Sequence, residues 1–456
     1  MPHWIPDLSA HHGPVYLGIA EALAIAVRTG RLRPGEVLPP QRLLAGLLGV
    51  NLSTVTRAYR EAERRGLIEG NTRRGTVVRA RAEVVDLFGL HPAPGGNAPC
   101  IDLSTNTPAE DARDDSIAQV IAALQEERAL TRLMGYQGVS DWEPWREQAA
   151  KWLAAGGLEL PADRIILCAG AQHALGVALA VASDRPDIAV ERFTYPGMKA
   201  IARERAYRLH PLEMDEEGVT PAALLKASRR GIRVAVLSSA LQNPTGASMS
   251  MARRKQVAAV AQARNMLLIE EDVYGALLPG RLPPLAALAP DHVYYVSGLS
   301  KTVAPGLRFG MLGVPPKQLQ RFTEAIHTTS WYLSPLGAEV ASRLIASGAA
   351  ARRLAWQRKE IVKRNAVLDE ALGGGPVQVV RHAPHRWLPL APRTRPEQLV
   401  AQLEERGLRV VAGSSFGVGP AAATTAFLRL SLGAAAGRKA VQRAGLLLRA
   451  CEGLGL

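Results

Sequence analysis

Three cysteines stand in 456 residues, Cys100, Cys168 and Cys451, far apart and odd in number. That excludes a disulfide framework, gives no zinc-ligand spacing, and fits a reducing compartment. No run is apolar and long enough to span a membrane. The uncharged stretch 410–428, as long as any in the chain, is broken by Gly, Ser, Pro and Thr and predicts a loop with short strands. The first ten residues, "MPHWIPDLSA", lack the basic start and apolar core of a signal peptide, so a cytoplasmic location is expected. Residues 1–80 hold no lysine. Eleven Arg against six acids give them +5 of the chain's net +14, and the rest of the chain holds +9. Basic charge is therefore densest at the N-terminus, which favours a polyanion partner without requiring one. With 47% hydrophobic and 21% charged residues the chain is globular material, long enough for two or three domains.

Apolar residues at Leu17, Ala20, Leu23, Ala24 and Val27 keep helical spacing, and Gly30 is placed to end that helix. After the proline turn "RPGEVLPP", "QRLLAGLLGV" predicts a short helix ending near Gly49. "NLSTVTRAYREAERRGL" predicts another, with Asn51 or Ser53 as its N-cap. Two short helices across a tight turn suit a helix-turn-helix, whose second helix meets the major groove N-terminus first. "GLIEGNTRRGTVVRA" then alternates like a strand pair with an Arg-Arg-Gly tip, the wing of a winged helix. The stretch from Gly30 to Val78 resembles the GntR family of bacterial repressors, and the resemblance covers about residues 14–80. Carried over position by position, it makes Arg42, Ser53, Thr54, Thr56 and Arg57 contacts for double-stranded DNA, with Arg73, Arg74 and Gly75 at the wing tip. Small hydroxyls at a helix start allow close approach to phosphate, and arginine reads guanine or binds phosphate.

Pro and Gly gather between His91 and Pro99, so residues 81–99 read as a partly extended linker between a domain at 1–80 and one at 100–456. Beyond it, "RIILCAG", "DIAVE", "RVAVLSS", "MLLIEED", "HVYYVSG" and "RFGMLGV" are strand candidates, most with helix between them. This predicts an α/β domain built on a mainly parallel sheet, where ligands gather at the carboxyl ends of the strands.

The chemistry sits at those strand ends. "SGLSKTVAPGLRFG" (297–310) puts Lys301 beside Ser300 in a strand-end loop, with Arg308 seven positions on. "CAGAQHAL" is a strand end, a glycine and a helix start, where the amides of Ala171 and Gln172 face an anion. "QNPTG" presents Asn243, "EEDVYG" presents Tyr274, and "FTYPG" presents Tyr195. These are the parts that pyridoxal 5′-phosphate (PLP) requires: a lysine for its aldehyde, a cradle for its phosphate, partners for its phenolic oxygen, and a ring to stack on. Together and in this order they resemble fold type I aminotransferases, over about residues 100–450. That resemblance implies a smaller C-terminal α+β subdomain and makes Lys301 the Schiff-base residue. Tyr136 then reaches across a homodimer interface to the neighbour's cofactor phosphate, and Arg429, in "FLRLSLG", clamps a ligand carboxylate.

Two positions depart from that pattern. The acid for the pyridine nitrogen is usually an Asp three residues before the tyrosine. Here Glu271 stands there, with Asp272 beside it. Neighbours in a strand point to opposite faces, so one of the two meets the ring, and the sequence leaves both open. A hydroxyl three residues before the lysine is replaced by Gly298, so Ser300 or backbone amides must serve the phosphate. His382 and His385 are three apart, but Pro384 argues against a helix that would pair them, and no metal is expected. His385 instead marks a strand of the C-terminal subdomain. "HTTSWYLSP" (327–335) exposes two aromatics in a loop that shapes the ligand entrance or packs between subunits.

A GntR-like winged helix joined to a fold type I aminotransferase domain resembles the MocR family of bacterial regulators, which includes the GabR type. The resemblance implies a PLP-dependent transcription regulator with two partners, operator DNA and an amino-acid-like or amine effector. The alternative is an active aminotransferase with an accessory winged helix.

Overall fold

The apolar strand candidates between residues 165 and 313 pair into one sheet in the computed structural model. The structure describes residues 4–8, 13–28, 31–32, 35–65, 67–71, 75–79, 100–182, 185–374, 380–392, 394–419, 425–451 and 454. The chain divides into two units, Met1–Ala98 and Pro99–Leu456. The linker at 81–99 lies outside the described residues.

In the first unit α1 (Val15–Arg28), α2 (Gln41–Leu48) and α3 (Leu52–Arg64) precede an antiparallel pair, β1 (Ile68–Asn71) and β2 (Gly75–Val78). Helix α3 begins where Asn51 accepts a bond from the Ser53 amide, the N-cap that the sequence left between two residues. Its Val55, Ala58, Tyr59 and Ala62 recur at helical spacing and are buried against Ile19, Leu23 and Leu44. Gly49 ends α2 at φ 64°, which a glycine adopts without strain.

The second unit opens with β3 (Ile101–Asp102). Its main sheet holds β4 (Ile165–Ala169), β5 (Asp187–Glu191), β6 (Arg208–Leu212), β7 (Val234–Leu237), β8 (Leu267–Glu271), β9 (Val293–Gly298) and β10 (Phe309–Gly313). Their order is β4-β10-β9-β8-β7-β5-β6. All neighbours are parallel except β10, which runs against β9 and β4. The β9–β10 connection is the Lys301 loop, and no α-helix crosses it, as an antiparallel return permits. β6, absent from the strand expectations, contains Pro211 and lies at the sheet edge, where a missing N–H leaves no ladder bond unmade.

Helix α4 (Ala171–Ala182) follows β4, and buried side chains cover both sheet faces. The long helix α5 (Ala349–Leu372) leads to a small antiparallel sheet of β11 (His385–Pro389), β13 (Val411–Ala412) and β14 (Phe427–Ser431), in the order β11-β14-β13. β12 (Leu408–Arg409) pairs with β3, in parallel. Among the described residues no helix is long and apolar enough to cross a membrane, and no three His, Cys, Asp or Glu side chains gather as a metal site needs.

Candidate functional site

The loops after β4, β5, β7, β8 and β9 bring the predicted residues to one end of the sheet, and β14 adds Arg429. Lys301 donates to the Asn106 carbonyl oxygen at 2.6 Å. Burial, with the positive field of Arg429 and Arg308, pushes its amine down to about 8, against an opposing pull from Glu271. More of the amine is therefore neutral, the form that attacks an aldehyde. Cofactor capture by the cofactor-free protein should accelerate with rising pH and level off above about 8, where an ordinary lysine would level off near 10.5. Glu271→Gln removes the charge that holds the lysine's pKa up, so the midpoint should fall. Stopped-flow absorbance across pH measures both, and a midpoint near 10.5 in the wild type would remove the basis for an activated lysine.

Glu271 and Asp272 part as strand neighbours do. Asp272 is fully buried on the far side, bonded by Arg281, by the Tyr295 hydroxyl at 2.9 Å and by the Gly275 amide at 2.9 Å. Glu271 interacts electrostatically with Lys301, and burial raises its carboxyl to about 7. Of the two acids, Glu271 therefore shares the lysine's environment. Gly298 also has a physical reason: a side chain there would start 2.9 Å from the Phe309 carbonyl oxygen, so the β9–β10 ladder leaves no room for a hydroxyl. The preceding Ser297 hydroxyl donates to the Asp272 carbonyl oxygen at 2.9 Å, and Ser300 is half-buried.

Arg308 lies over the start of α4, donating to the Ala169 carbonyl oxygen at 3.0 Å. Any side chain at Gly170 (φ 89°) would run into its guanidinium. The first amides of α4, at Ala171 and Gln172, have no acceptor within the helix, so amides and guanidinium are donors that an anion at this helix start could use. Gln242 fixes the turn after β7. Its amide donates to Glu191 at 2.9 Å and to the Phe193 carbonyl oxygen at 2.6 Å, and accepts from the Thr245 hydroxyl at 2.7 Å. Tyr195, half-buried, precedes helix Pro196–Glu204. The buried Tyr274 hydroxyl accepts from Asn106 Nδ2 at 2.8 Å.

Arg429 sits on β14 opposite Trp387, buried, with its guanidinium 5.3 Å from the centre of the Phe416 ring. It donates to Asn106 Oδ1 at 2.8 Å and to the Ser104 carbonyl oxygen. Both partners are neutral, and burial lowers its pKa to about 10. His385 is buried on β11 and bonds Gln242 O at 3.0 Å and Asn106 Nδ2 at 3.3 Å. Burial holds it down to about 3, so it is neutral. Tyr136 is elsewhere: it is 87% exposed and packs against Trp331 and Tyr332, with no contact to Lys301 in this chain.

The donor set suits PLP. Arg308 and the α4 amides match a dianionic phosphate, and Glu271 matches a protonated ring nitrogen. Gln172 Oε1, Asn243 Oδ1 and Arg429 Nε are buried with no hydrogen-bond partner among the described residues. Buried polar atoms are normally paired, so this residue set has capacity for a polar ligand. Sequence reasoning missed Asn106, Glu191 and the site role of His385. Asn106 stands in the irregular stretch "LSTNTP", with no motif to mark it.

In the first unit Arg42 is exposed in the first turn of α2, and Ser53 and Thr54 stand in the first turn of α3. Thr56 donates its hydroxyl to Gln41 at 2.8 Å, so in this arrangement it has no proton to offer a phosphate. Arg57 is exposed, with its guanidinium 4.2 Å from the centre of the Tyr16 ring. Gly75 takes φ 86° at the start of β2. Arg73 and Arg74 lie outside the described residues.

Comparison with known proteins agrees with both units. Residues 98–444 match the family model "Aminotransferase class I and II", and residues 15–78 match "Bacterial regulatory proteins, gntR family". The chain is 29% identical over 437 residues to the uncharacterized HTH-type transcriptional regulator YdeF of Bacillus subtilis, covering 91% of this chain and 90% of that protein. It is 26% identical to the HTH-type pyridoxine biosynthesis transcriptional regulator PdxR of Corynebacterium glutamicum, covering 87% and 88%. The crystal structure of an archaeal alanine:glyoxylate aminotransferase superimposes with a TM-score of 0.71 at 18% identity, over 77% of this chain and 91% of that one, a likeness of fold.

Proposed function

This chain belongs to the aminotransferase class I and II family, and from that premise we propose that it is a PLP-dependent transcription regulator of the MocR type, sensing an amino-acid-like or amine effector. The observation that carries the reading is the union in one chain of a gntR-family helix-turn-helix with a lysine site that holds a buried arginine with no acidic partner among its hydrogen bonds. Residues 1–80 bind double-stranded DNA, 81–99 link, and 100–456 bind cofactor and effector and form a homodimer.

When bound, PLP supplies an electrophilic carbon for amines and an electron sink. Lys301 holds it covalently. Arg308, with the amides of Ala171 and Gln172, holds its phosphate, joined by Ser300 and by Tyr136 of the other subunit. Asn243 and Tyr274 bond its phenolic oxygen, Glu271 its ring nitrogen, and Tyr195 lies on its ring. An effector carboxylate goes to Arg429. The output is a population shift, which requires differential affinity for two states rather than turnover. The nearly complete polar set also supports the second reading, an active aminotransferase. Sustained conversion of an amino donor with a keto acid marks the enzyme, and slow, partial exchange marks the sensor.

DNA binding tests the first half directly. The full chain should bind duplex DNA from its own promoter region as a dimer on paired half-sites. Replacing Arg73 and Arg74 by Ala should weaken binding to every sequence and flatten the salt dependence, by about one unit of slope per lost phosphate contact. An unchanged slope places the wing off the phosphates. No binding to the promoter region favours the enzyme.

A further inference from the structure

Asn106 touches four groups of the site at once, His385 at 3.3 Å among them. Its side-chain oxygen accepts from Arg429 at 2.8 Å, its side-chain nitrogen donates to Tyr274 at 2.8 Å, and its backbone oxygen accepts from Lys301 at 2.6 Å. Ser104, two residues earlier, gives its carbonyl oxygen to the other terminal nitrogen of Arg429. The two nitrogens that would grip a carboxylate side by side are thus already held by one short segment of the chain.

Apart from Leu103, which is buried in the core, and the Asn106 contacts, that segment is tied by short strand pairing. Among the described residues β3, two residues long, pairs with β12, and Ile101 N bonds Gly407 O and Leu103 N bonds Arg409 O, both at 2.8 Å. One further bond runs from Ser431 N on β14 to Leu103 O at 2.8 Å, and an ion pair of 3.2 Å joins Asp102 to Arg409. Residues 101–107 are also where the chain, arriving from the first unit, joins the second.

We propose that Asn106 is a displaceable stand-in for the ligand: its amide oxygen occupies the arginine fork that a ligand carboxylate takes, so binding releases the segment through which the chain enters the second unit. This rests on the reading of Arg429 as the carboxylate clamp. Charge decides the exchange. A carboxylate brings a full counter-charge and two parallel bonds where the amide offers one neutral acceptor, so it wins the fork once it reaches it. The Lys301 bond belongs to the cofactor-free protein and is given up earlier, when that nitrogen is committed to the cofactor. Two of the four ties therefore go to groups that cofactor and ligand take over, and the contacts with Tyr274 and His385 remain. A support that merely oriented Arg429 would act in the opposite sense, since removing it would cost ligand affinity.

The test uses the full-length, cofactor-loaded protein with L-alanine, L-glutamate and maleate as probes, read by cofactor absorbance. Asn106→Ala should bind at least one probe about tenfold more tightly than wild type, since a competing bond of about 1.4 kcal/mol has gone. Asn106→Asp, nearly the same shape, should bind at least tenfold more weakly, because its own carboxylate stays on Arg429. Hydrogen exchange over residues 100–108 should rise when a saturating probe is added to wild type, and should already be raised in Asn106→Ala without probe. Equal or weaker binding by Asn106→Ala overturns the proposal, as does the absence of binding by both proteins. Unchanged probe affinity in Arg429→Lys overturns the clamp beneath it, whatever Asn106 shows.

Discussion

Lys301→Ala is expected to yield a protein that holds no cofactor after borohydride reduction, whereas wild type gains the cofactor's mass on the peptide containing Lys301. The variant should still take up PLP reversibly, because Arg308 and the α4 amides remain, and should release it on dialysis. A colourless wild type that takes up no added PLP would end the cofactor reading. The same substitution has an expected effect on stability. Burial beside Arg429 and Arg308 lowers the amine from 10.5 to about 8, which corresponds to about 3 kcal/mol of penalty, as an upper bound, whenever the folded lysine is charged. Below pH 8 both folded and unfolded forms carry the proton and the penalty is fully present. Between about 8 and 10.5 only the unfolded form binds it, so wild-type stability should rise with pH across that window. Lys301→Ala has no such proton. At pH 7 the cofactor-free variant should be more stable than cofactor-free wild type, by less than that bound because the Asn106 bond and the lysine's packing are lost. Urea melts of both proteins across pH measure this. A variant less stable than wild type, with the same pH slope, would show that the folded protein does not strain this lysine. The expected pattern is that of a functional residue held against the preference of the fold.

The parts of this molecule legible in its sequence are those whose signal is local. The central strands are apolar runs because neighbours and helices cover both faces of the sheet. The Lys301, Asn243 and Tyr274 motifs each sit in a turn fixed by residues a few positions away, as Gln242 and Thr245 show. β6 was missed because its Pro211 reads as a break unless the strand's edge position is known. The choice between Glu271 and Asp272 needed Arg281 and Tyr295, which hold Asp272 on the far side. Thr56 matched a DNA-contact pattern, but the acceptor for its hydroxyl is fifteen residues away on another helix. Asn106 is the extreme case: its partners Tyr274, Lys301 and Arg429 lie 168, 195 and 323 residues along the chain. No period, cap or turn signal reaches that far. The residue that bonds Lys301, Tyr274 and Arg429 together was the one the sequence marked least.

Arg429→Lys is expected to keep PLP and basal DNA affinity and to lose the effector response. Neither retained property uses the guanidinium, since the partners proposed for the cofactor are Lys301, Arg308, Asn243, Tyr274 and Glu271. The response does use it. Arg429 is buried on a strand with only neutral oxygens as acceptors, and a buried charge without a counter-ion is costly until one arrives. A ligand carboxylate provides that counter-ion and meets the planar fork with two parallel bonds. A lysine ammonium on the same strand is a point donor and cannot. Losing a charge-assisted bond of about 1.5–3 kcal/mol should weaken effector binding by roughly 10- to 150-fold. Typical allosteric couplings are about 1–3 kcal/mol, so a loss of that size is enough to silence the switch at effector concentrations that saturate wild type. The measurement is operator affinity with and without effector, in both proteins, at equal concentration. The ratio should depart from one in wild type and return to one in the variant. A variant that responds like wild type would make Arg429 structural. The effector would then be an amine without a carboxylate, held by Lys301's cofactor alone, and Asn106 would keep its bond to Arg429 in both states.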